Sequence, residues 1–152
     1  MSTQEDLQPM SAAEEALVRA LGRLLHVLPR AVDQDMARAR QLPLSEYMTL
    51  MHLSEAPGRL MRMSELASTC DLSLSGMTRI VARLEQHGLV KRVRCEADGR
   101  GANAVLTDTG LQRLKEAWPA HLASVRRHLL DHVDAADLEV VTRVLQRMAT
   151  AC

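Results

Sequence analysis

The chain has 152 residues, of which 47% are hydrophobic and 25% charged, and its 19 basic and 19 acidic residues give a formal net charge of zero. This length and composition predict one globular domain with a sizeable core, and they exclude fibrous and disordered proteins. No apolar run approaches the roughly 20 residues that cross a bilayer. The N-terminus MSTQEDLQPM is polar and acidic rather than leader-like, so we expect a cytoplasmic protein with no membrane partner.

Three cysteines, Cys70, Cys95 and Cys152, form no CxxC motif and no paired framework. This pattern favours a reducing compartment, in which disulfides do not hold the fold. Cys95 follows Arg94 on a predicted strand, and Cys70 ends a predicted helix. Both are therefore candidates for a low-pKa oxidant sensor, with inert packing as the alternative.

Long helices are predicted at both ends of the chain. Ser11 and Glu14 form a capping-box pattern, and leucines then recur at helical spacing. We expect this first helix to bend or break near Pro29, because proline lacks the N–H that a helix interior needs. A later helix is predicted from roughly 109 to 131, capped by Thr107 or Asp108, and a last one from about residue 134.

Three short helices and a hairpin are predicted between the long helices. The first follows Pro43 and Ser45 and ends at residues 57–58, and the second has Ser64 as its N-cap. The third, LSLSGMTRIVARLEQHG, ends at Gly88 in the left-handed conformation. The stretch LVKRVRCEADGRGANAVLT then predicts a two-stranded hairpin that turns at residues 98–101. The fold class is therefore mainly α with a small β-hairpin.

The third short helix has two chemically distinct faces. On a helical wheel one side is apolar, comprising Leu74, Met77, Ile80, Val81 and Leu84. The opposite side is small and then basic, comprising Ser75, Arg79, Ala82, Arg83 and Gln86. Small residues permit close approach to a DNA major groove, and Ser, Thr, Arg and Gln contact bases and phosphates. A solvated basic face without DNA is the alternative.

The order of elements favours the DNA interpretation. A short helix, a turn at residues 71–73, a helix with a basic outer face and a basic hairpin follow one another, as in a winged helix-turn-helix. Residues 72–101 contain six Arg or Lys residues against three acidic ones. At the hairpin tip, Arg100 between two glycines is suited to the narrow minor groove, and Asp98 is placed to orient it.

The stretch LSLSGMTRIVARLEQHGLVKRVRCEADGRGANAVLTDTG closely resembles the MarR family of bacterial transcription regulators. The resemblance implies a winged helix-turn-helix lobe over residues 45–107, and dimerisation helices over 11–40 and 108–150 that interlock in an obligate homodimer. The implied partner is a pseudo-palindromic double-stranded DNA operator. The candidate DNA-binding residues on the recognition helix and wing are Ser73, Ser75, Gly76, Thr78, Arg79, Arg83, Arg94, Asp98 and Arg100.

A ligand pocket between the dimerisation helices and the DNA-binding lobe is also implied. Its candidate residues combine cations with an apolar bed, which suits a small aromatic or aliphatic carboxylate. They are Arg19, Arg23, His26, Tyr47, Met48, Met51 and His52. Surface arginines and core methionines are the alternative interpretation. With no Phe, one Tyr and one Trp, the chain cannot line a pocket with aromatic rings as some relatives do.

Two hypotheses of function follow. The first is a ligand-responsive DNA-binding regulator that acts as a repressor. The second is a winged-helix dimerisation or interaction module, and cysteine-based oxidant sensing is a variant of the first. The chain has no glycine-rich phosphate loop and no nucleophile–base pattern, so we expect neither an enzyme nor a cofactor. His128 and His132, one helical turn apart, do not make a metal site by themselves.

Overall fold

The computed structural model describes residues 8–95 and 101–152. In these residues six α-helices accompany a small sheet, with short 3-10 turns at Pro57–Arg59 and Leu130–His132. The helices are α1 (Ala12–Arg38), α2 (Leu44–Glu55), α3 (Met63–Thr69), α4 (Leu74–Gln86), α5 (Asp108–His128) and α6 (Leu138–Ala151). The strands are β1 (Leu60–Arg62), β2 (Val90–Arg94) and β3 (Ala102–Leu106). The predicted mainly α fold with a β-hairpin wing is confirmed.

The sheet contains one strand more than the sequence predicted. Its order is β1-β3-β2, and both pairings are antiparallel, with Leu60 opposite Val105 and Val90 opposite Leu106. β1 has only three residues, which is too short to show the alternation that identifies a strand. It forms because β3 offers it a free edge beside the hairpin.

The first helix begins as predicted and continues past its proline. The Ser11 N–H donates to the Glu14 carboxylate at 2.7 Å, and the Glu14 N–H donates to Ser11 Oγ at 3.3 Å, so the capping box is formed. The expectation was a bend or a break near Pro29, and the helix does not break there, because α1 is continuous over 27 residues with Pro29 inside it. Proline removes one intrahelical hydrogen bond, and the packing of α1 along α5 keeps the helix intact across that gap.

Several helix boundaries differ from the predicted ones. α3 begins at Met63 with Arg62 as its N-cap residue, so Ser64 lies inside the helix and is not the cap. α5 ends at His128, and α6 begins only at Leu138. Two terminal residues are as predicted: Gly88 follows α4 with a φ of 70°, and Thr107 caps α5. The ends of helices depend on fraying and on contacts with neighbouring elements, and the spacing of apolar residues in the sequence does not show either effect.

The core lies where α2, α3, α4 and the sheet meet the middle of α5. Its fully buried side chains include Tyr47, Leu50, Leu66, Met77 and Leu84. The helical wheel of α4 therefore identified most of its buried face. Leu74 is the exception, with 54% of its surface exposed, because it is the first residue of the helix and precedes the packed turns.

The outer helices leave apolar side chains uncovered. Leu17 and Leu25 of α1 are 53% and 65% exposed, and α6 buries no residue at all. α6 nevertheless has an apolar stripe at helical spacing, which includes Leu138, Val141 and Leu145. These two surfaces resemble the face of a helix that packs against another chain. None of the helices in the described ranges is long and apolar enough to cross a bilayer.

A carboxylate joins α1 to α5 below the lobe. Asp35 Oδ2 accepts a hydrogen bond from Ser124 Oγ at 2.9 Å and lies 3.2 Å from Arg127 Nη1 and 2.9 Å from His128 Nε2. Arg38 Nη1 contacts the other oxygen, Oδ1, at 3.1 Å. The Ser124 hydroxyl, followed by His128, holds the pKa of the Asp35 carboxyl below its ordinary value of 3.8. The ionised carboxylate is therefore the form that fits the fold.

We expect the stabilising effect of Asp35 to disappear in acid. Because the folded pKa lies below the unfolded value, the contribution is complete above the unfolded pKa and is lost as the pH falls through the folded one. Asp35→Asn should therefore lower the urea midpoint at pH 7, and the gap from wild type should narrow towards about pH 3. Asp131→Asn, at an exposed residue, is the matched control. A gap that stays constant with pH would contradict this role.

Candidate nucleic-acid interface

The N-terminus of α4 is organised by two serines and a glycine. Ser73 is the N-cap residue, and its Oγ accepts a hydrogen bond from the Gly76 N–H at 3.1 Å and lies 3.2 Å from Ser75 Oγ. A Cβ on Gly76 would also lie 3.2 Å from Ser73 Oγ, which is a tight contact. Small side chains thus keep this end of the helix narrow, and Ser75 stands exposed beside it.

The outer face of α4 presents Thr78 and Arg79 to solvent. The Thr78 hydroxyl donates to the Leu74 carbonyl oxygen at 2.8 Å, and its remaining lone pairs face outwards with the exposed side chain. Arg79 has no hydrogen-bond or ion-pair partner in the part of the chain that the structure describes. Its five N–H donors are therefore available to an external acceptor, and a guanidinium matches both phosphate and the edge of guanine.

Arg83 lies on the same face and is held by the lobe. Its Nε donates to Oε1 of Glu46 on α2 at 2.8 Å, and Glu46 is itself buried. About half of the Arg83 side chain remains exposed, so its outer nitrogens still face solvent. The pair fixes the direction of the guanidinium relative to α4. Sequence reasoning missed Glu46, because nothing in the local pattern connects residues 37 positions apart.

The wing strand β2 continues the basic surface. Arg92 donates to Glu85 twice, from its backbone N–H at 3.0 Å and from Nε at 2.7 Å, and these bonds tie β2 to α4. Lys91 and Arg94 are exposed and have no partner among the described residues.

Asp98 and Arg100, the predicted residues of the wing tip, lie outside the described residues. A cavity of about 390 Å³ lies between α3, α4 and the wing.

The cysteines differ in their surroundings. Cys95 Sγ accepts a long hydrogen bond from Arg62 Nη2 at 3.6 Å. Burial raises the pKa of the Cys70 thiol, so the thiolate that reacts with oxidants is disfavoured there. Cys152 is exposed beyond the last helix.

The predicted ligand residues do not meet in one cavity of the described chain. Tyr47 is buried, with its ring 4.2 Å from that of His121. Met48 lines two neighbouring cavities, and His52 lines a third, on the far side of α2 near Pro57. Met51 is half-buried against the core.

The predicted cations lie further along α1. Arg19 pairs with Glu15 on the same helix, and Arg23 and His26 are exposed. The first α1 residue that lines the nearest apolar cavity is Leu28, and because a helix rises about 1.5 Å per residue, Arg19 lies about 14 Å along the axis from it. His26 lies only about 3 Å along the axis from Leu28, so Arg19 is the predicted cation that lies farthest from the apolar bed.

His121 was missed in the sequence and is the distinctive polar group near Met48. It lines an apolar cavity of about 230 Å³ between α1, α2 and α5, and its buried Nδ1 has no hydrogen-bond partner among the described residues. Burial lowers its pKa, so the ring is neutral at pH 7. The sequence feature that could have indicated a buried His121 is its position in the apolar stripe of α5, four residues after Ala117 and four before Val125.

Two other histidines have separate partners. His128 contacts Asp35, and His132 Nε2 lies 2.9 Å from the Arg127 carbonyl oxygen. No group of three metal-ligating side chains occurs within residues 8–95 and 101–152.

Comparison with known proteins assigns this arrangement to a family. The family model for MarR proteins matches residues 40–101, which contain the helix-turn-helix and most of the wing. The structure also superposes on AbsC, a MarR family transcriptional regulator from Streptomyces coelicolor. The two are 33% identical, with a TM-score of 0.84 over 95% of this chain and 97% of AbsC. The chain belongs to the MarR family.

Two further MarR relatives extend the comparison. Sco3205, also from Streptomyces coelicolor, was solved in complex with DNA; it is 29% identical, with a TM-score of 0.87 over 97% of this chain and 92% of that one. YxaD of Bacillus subtilis, described as an uncharacterized HTH-type transcriptional regulator, is 28% identical over 97% of both chains. This MarR protein is accordingly a transcriptional regulator rather than an enzyme.

Proposed function

We propose that this MarR protein is a homodimeric, sequence-specific DNA-binding repressor of the cytoplasm that releases its operator when a small molecule binds. The observation that carries the proposal is the outer face of α4, where Arg79 is exposed without a partner in the described chain. The small N-terminal residues Ser73, Ser75 and Gly76 allow close approach of α4 to a groove. The solved complex of the relative Sco3205 with DNA supports DNA binding.

The residues divide into base-reading and phosphate-binding groups. Thr78 and Arg79 project from the middle of the recognition helix and contact base edges. Arg83, aimed by Glu46, and Arg94 on β2 contact phosphates, because they lie at the end of α4 and on the wing. We assign the minor-groove contact to Arg100, oriented by Asp98, from the sequence alone.

Dimerisation follows from the uncovered apolar surfaces of α1 and α6. Contiguous exposed apolar stripes of this kind mark contact surfaces, and most soluble oligomers are symmetric assemblies of one chain. We therefore assign residues 11–40 and 108–150 to dimer formation and 45–107 to DNA binding. Two recognition helices related by a two-fold axis then meet half-sites about 34 Å apart.

Selection of DNA duplexes from a random library tests DNA binding and dimer formation in one experiment. Duplexes enriched from a random library by the purified protein should contain an inverted repeat, and size measurement should give one dimer per duplex. A folded monomer at micromolar concentration contradicts the dimer. Failure to enrich any duplex contradicts DNA binding and favours the interaction-module alternative.

The cavity beside His121 supports an uncharged effector. Its lining is almost wholly apolar, and the neutral His121 offers only a hydrogen bond, so an anion there would lose its hydration without gaining a cation. A second cavity of about 440 Å³ shares Pro29, Leu44 and Met48 with the first and extends to Cys70 and Leu72, just before α4. Its lining also contains one cation and one anion, Arg30 and Asp33, so this space carries no net positive charge for an anionic ligand. A ligand that fills both spaces changes the position of the turn that starts the recognition helix.

Two probe molecules of similar shape, one neutral and one charged, test which kind of effector the protein binds. Para-propylphenol should bind and release the enriched duplex, whereas para-propylbenzoate, which carries a charge, should not. Binding is read directly from Trp118, the sole tryptophan, whose ring lies 6.1 Å from that of His121. His121→Phe should weaken phenol binding roughly fivefold, because the hydrogen bond is lost. Preference for the benzoate would point instead to the cations of α1.

A further inference from the structure

The end of the recognition helix is fastened to the start of α5 at a small contact, here called the α4–α5 junction, formed by Gly88, Leu89, Thr107 and Gly110. The Thr107 hydroxyl donates to the Gly88 carbonyl oxygen at 2.7 Å and lies 3.0 Å from that of Leu89. Thr107 Oγ1 also accepts a hydrogen bond from the Gly110 N–H at 2.9 Å. The Thr107 N–H also donates to the Leu89 carbonyl oxygen at 3.1 Å. One threonine thus bonds to both sides of the junction.

The junction joins the two functional parts of the chain. Gly88 ends α4 in the left-handed conformation, which turns its carbonyl and that of Leu89 towards Thr107. On the other side, Thr107 begins α5, the helix that packs along α1 in the dimerisation region. These short hydrogen bonds, together with the packing of the core against α5, therefore hold the angle between α4 and α5.

We infer that Thr107 is a positioning residue that sets the operator spacing this protein accepts. The inference rests on the proposed dimeric DNA binding. In a dimer, the distance between the two α4 helices depends on the shared dimerisation helices and on the angle that each DNA-binding lobe makes with them. Thr107 holds this angle in each protomer. Loss of its donor bonds lets each lobe rotate, so half-sites at other spacings become acceptable.

The test separates the donor role of Thr107 from its capping role. Thr107→Ser keeps both roles, and Thr107→Val removes both. Thr107→Asp still caps α5, because an ionised carboxylate accepts the Gly110 N–H, but it has no proton to donate to Gly88. Each variant is titrated against the enriched duplex and against versions with one or two base pairs inserted or removed between the half-sites. Urea unfolding of each variant monitors the fold.

For wild type and Thr107→Ser we expect the same strong preference for the enriched spacing. For Thr107→Asp and Thr107→Val the affinity ratio between the enriched and the one-base-pair-shifted duplexes should fall by about tenfold, which corresponds to the loss of a hydrogen bond in each protomer. A role in stability alone would lower affinity for every spacing equally and leave the ratio unchanged. An unchanged ratio in Thr107→Asp overturns the inference, and a wild-type protein that enriches no duplex overturns the proposed function itself.

Discussion

Gly110→Ala is expected to lower the free energy of unfolding by about 3 kcal/mol, at the upper end of the usual cost of overpacking. A Cβ at this position would lie 2.1 Å from the Leu89 carbonyl oxygen and 2.7 Å from Leu106 Cδ1. The oxygen cannot retreat easily, because the Thr107 N–H and hydroxyl both hold it. The start of α5 must move away from Leu89 instead, and the junction opens.

Urea denaturation at a fixed protein concentration measures this effect, since the stability of a dimer depends on concentration. Thr109→Ala is the matched control, because Thr109 is exposed in the same helical turn, and we expect a change within about 0.5 kcal/mol. Equal midpoints for Gly110→Ala and Thr109→Ala would mean that the close approach of α5 to Leu89 is not needed for stability.

Arg79→Ala is expected to weaken operator binding by about 1 to 3 kcal/mol per half-site and to relax base preference at one position in each. The reason is the exposed guanidinium of Arg79 on the outer face of α4, which has no partner within residues 8–95 and 101–152 and forms paired hydrogen bonds to a base when DNA is present. Arg79→Lys keeps the charge but loses the fork geometry, so it should recover non-specific affinity without recovering discrimination.

The measurement compares the enriched duplex with a scrambled duplex of equal length at one salt concentration. Lys115→Ala, at an exposed position on α5, is the control for loss of one positive charge outside the lobe. If Arg79→Ala loses the same affinity on both duplexes, Arg79 contacts phosphate and another residue of α4 reads the base.

The sequence predicted those parts of the fold that depend on local periodicity. The buried face of α4 follows from its 3.6-residue repeat, and the hairpin follows from alternation around a glycine-rich turn. β1 was not predictable, because its three residues become a strand only through pairing with β3. The helix continues through Pro29 for a related reason: tertiary packing along α5 outweighs the local cost of a missing hydrogen bond.

Some residues of the candidate site could likewise be predicted from local sequence, whereas others depend on tertiary contacts. Ser75 and Arg79 were assigned to the outer face of α4 from the helical wheel, Thr78 was named from the family resemblance, and the structure exposes all three. The pairs Arg83–Glu46 and Arg92–Glu85 needed the fold, since each joins two elements. His121 was hidden because its environment is made by α1 and α2, which lie far from it in the sequence.

The strand order has a consequence for synthesis. β3 is the central strand, yet it is the last of the three to be made, and β1 meets its partner only about 45 residues later. A nascent chain that has emerged only as far as β2 therefore contains two strands, β1 and β2, that have no partner strand yet. The apolar residues of α2 and α3 are then uncovered. Closing such a long loop costs chain entropy before any contact compensates for it. The lobe is consequently most exposed to chaperones and proteases in the interval before β3 leaves the ribosome.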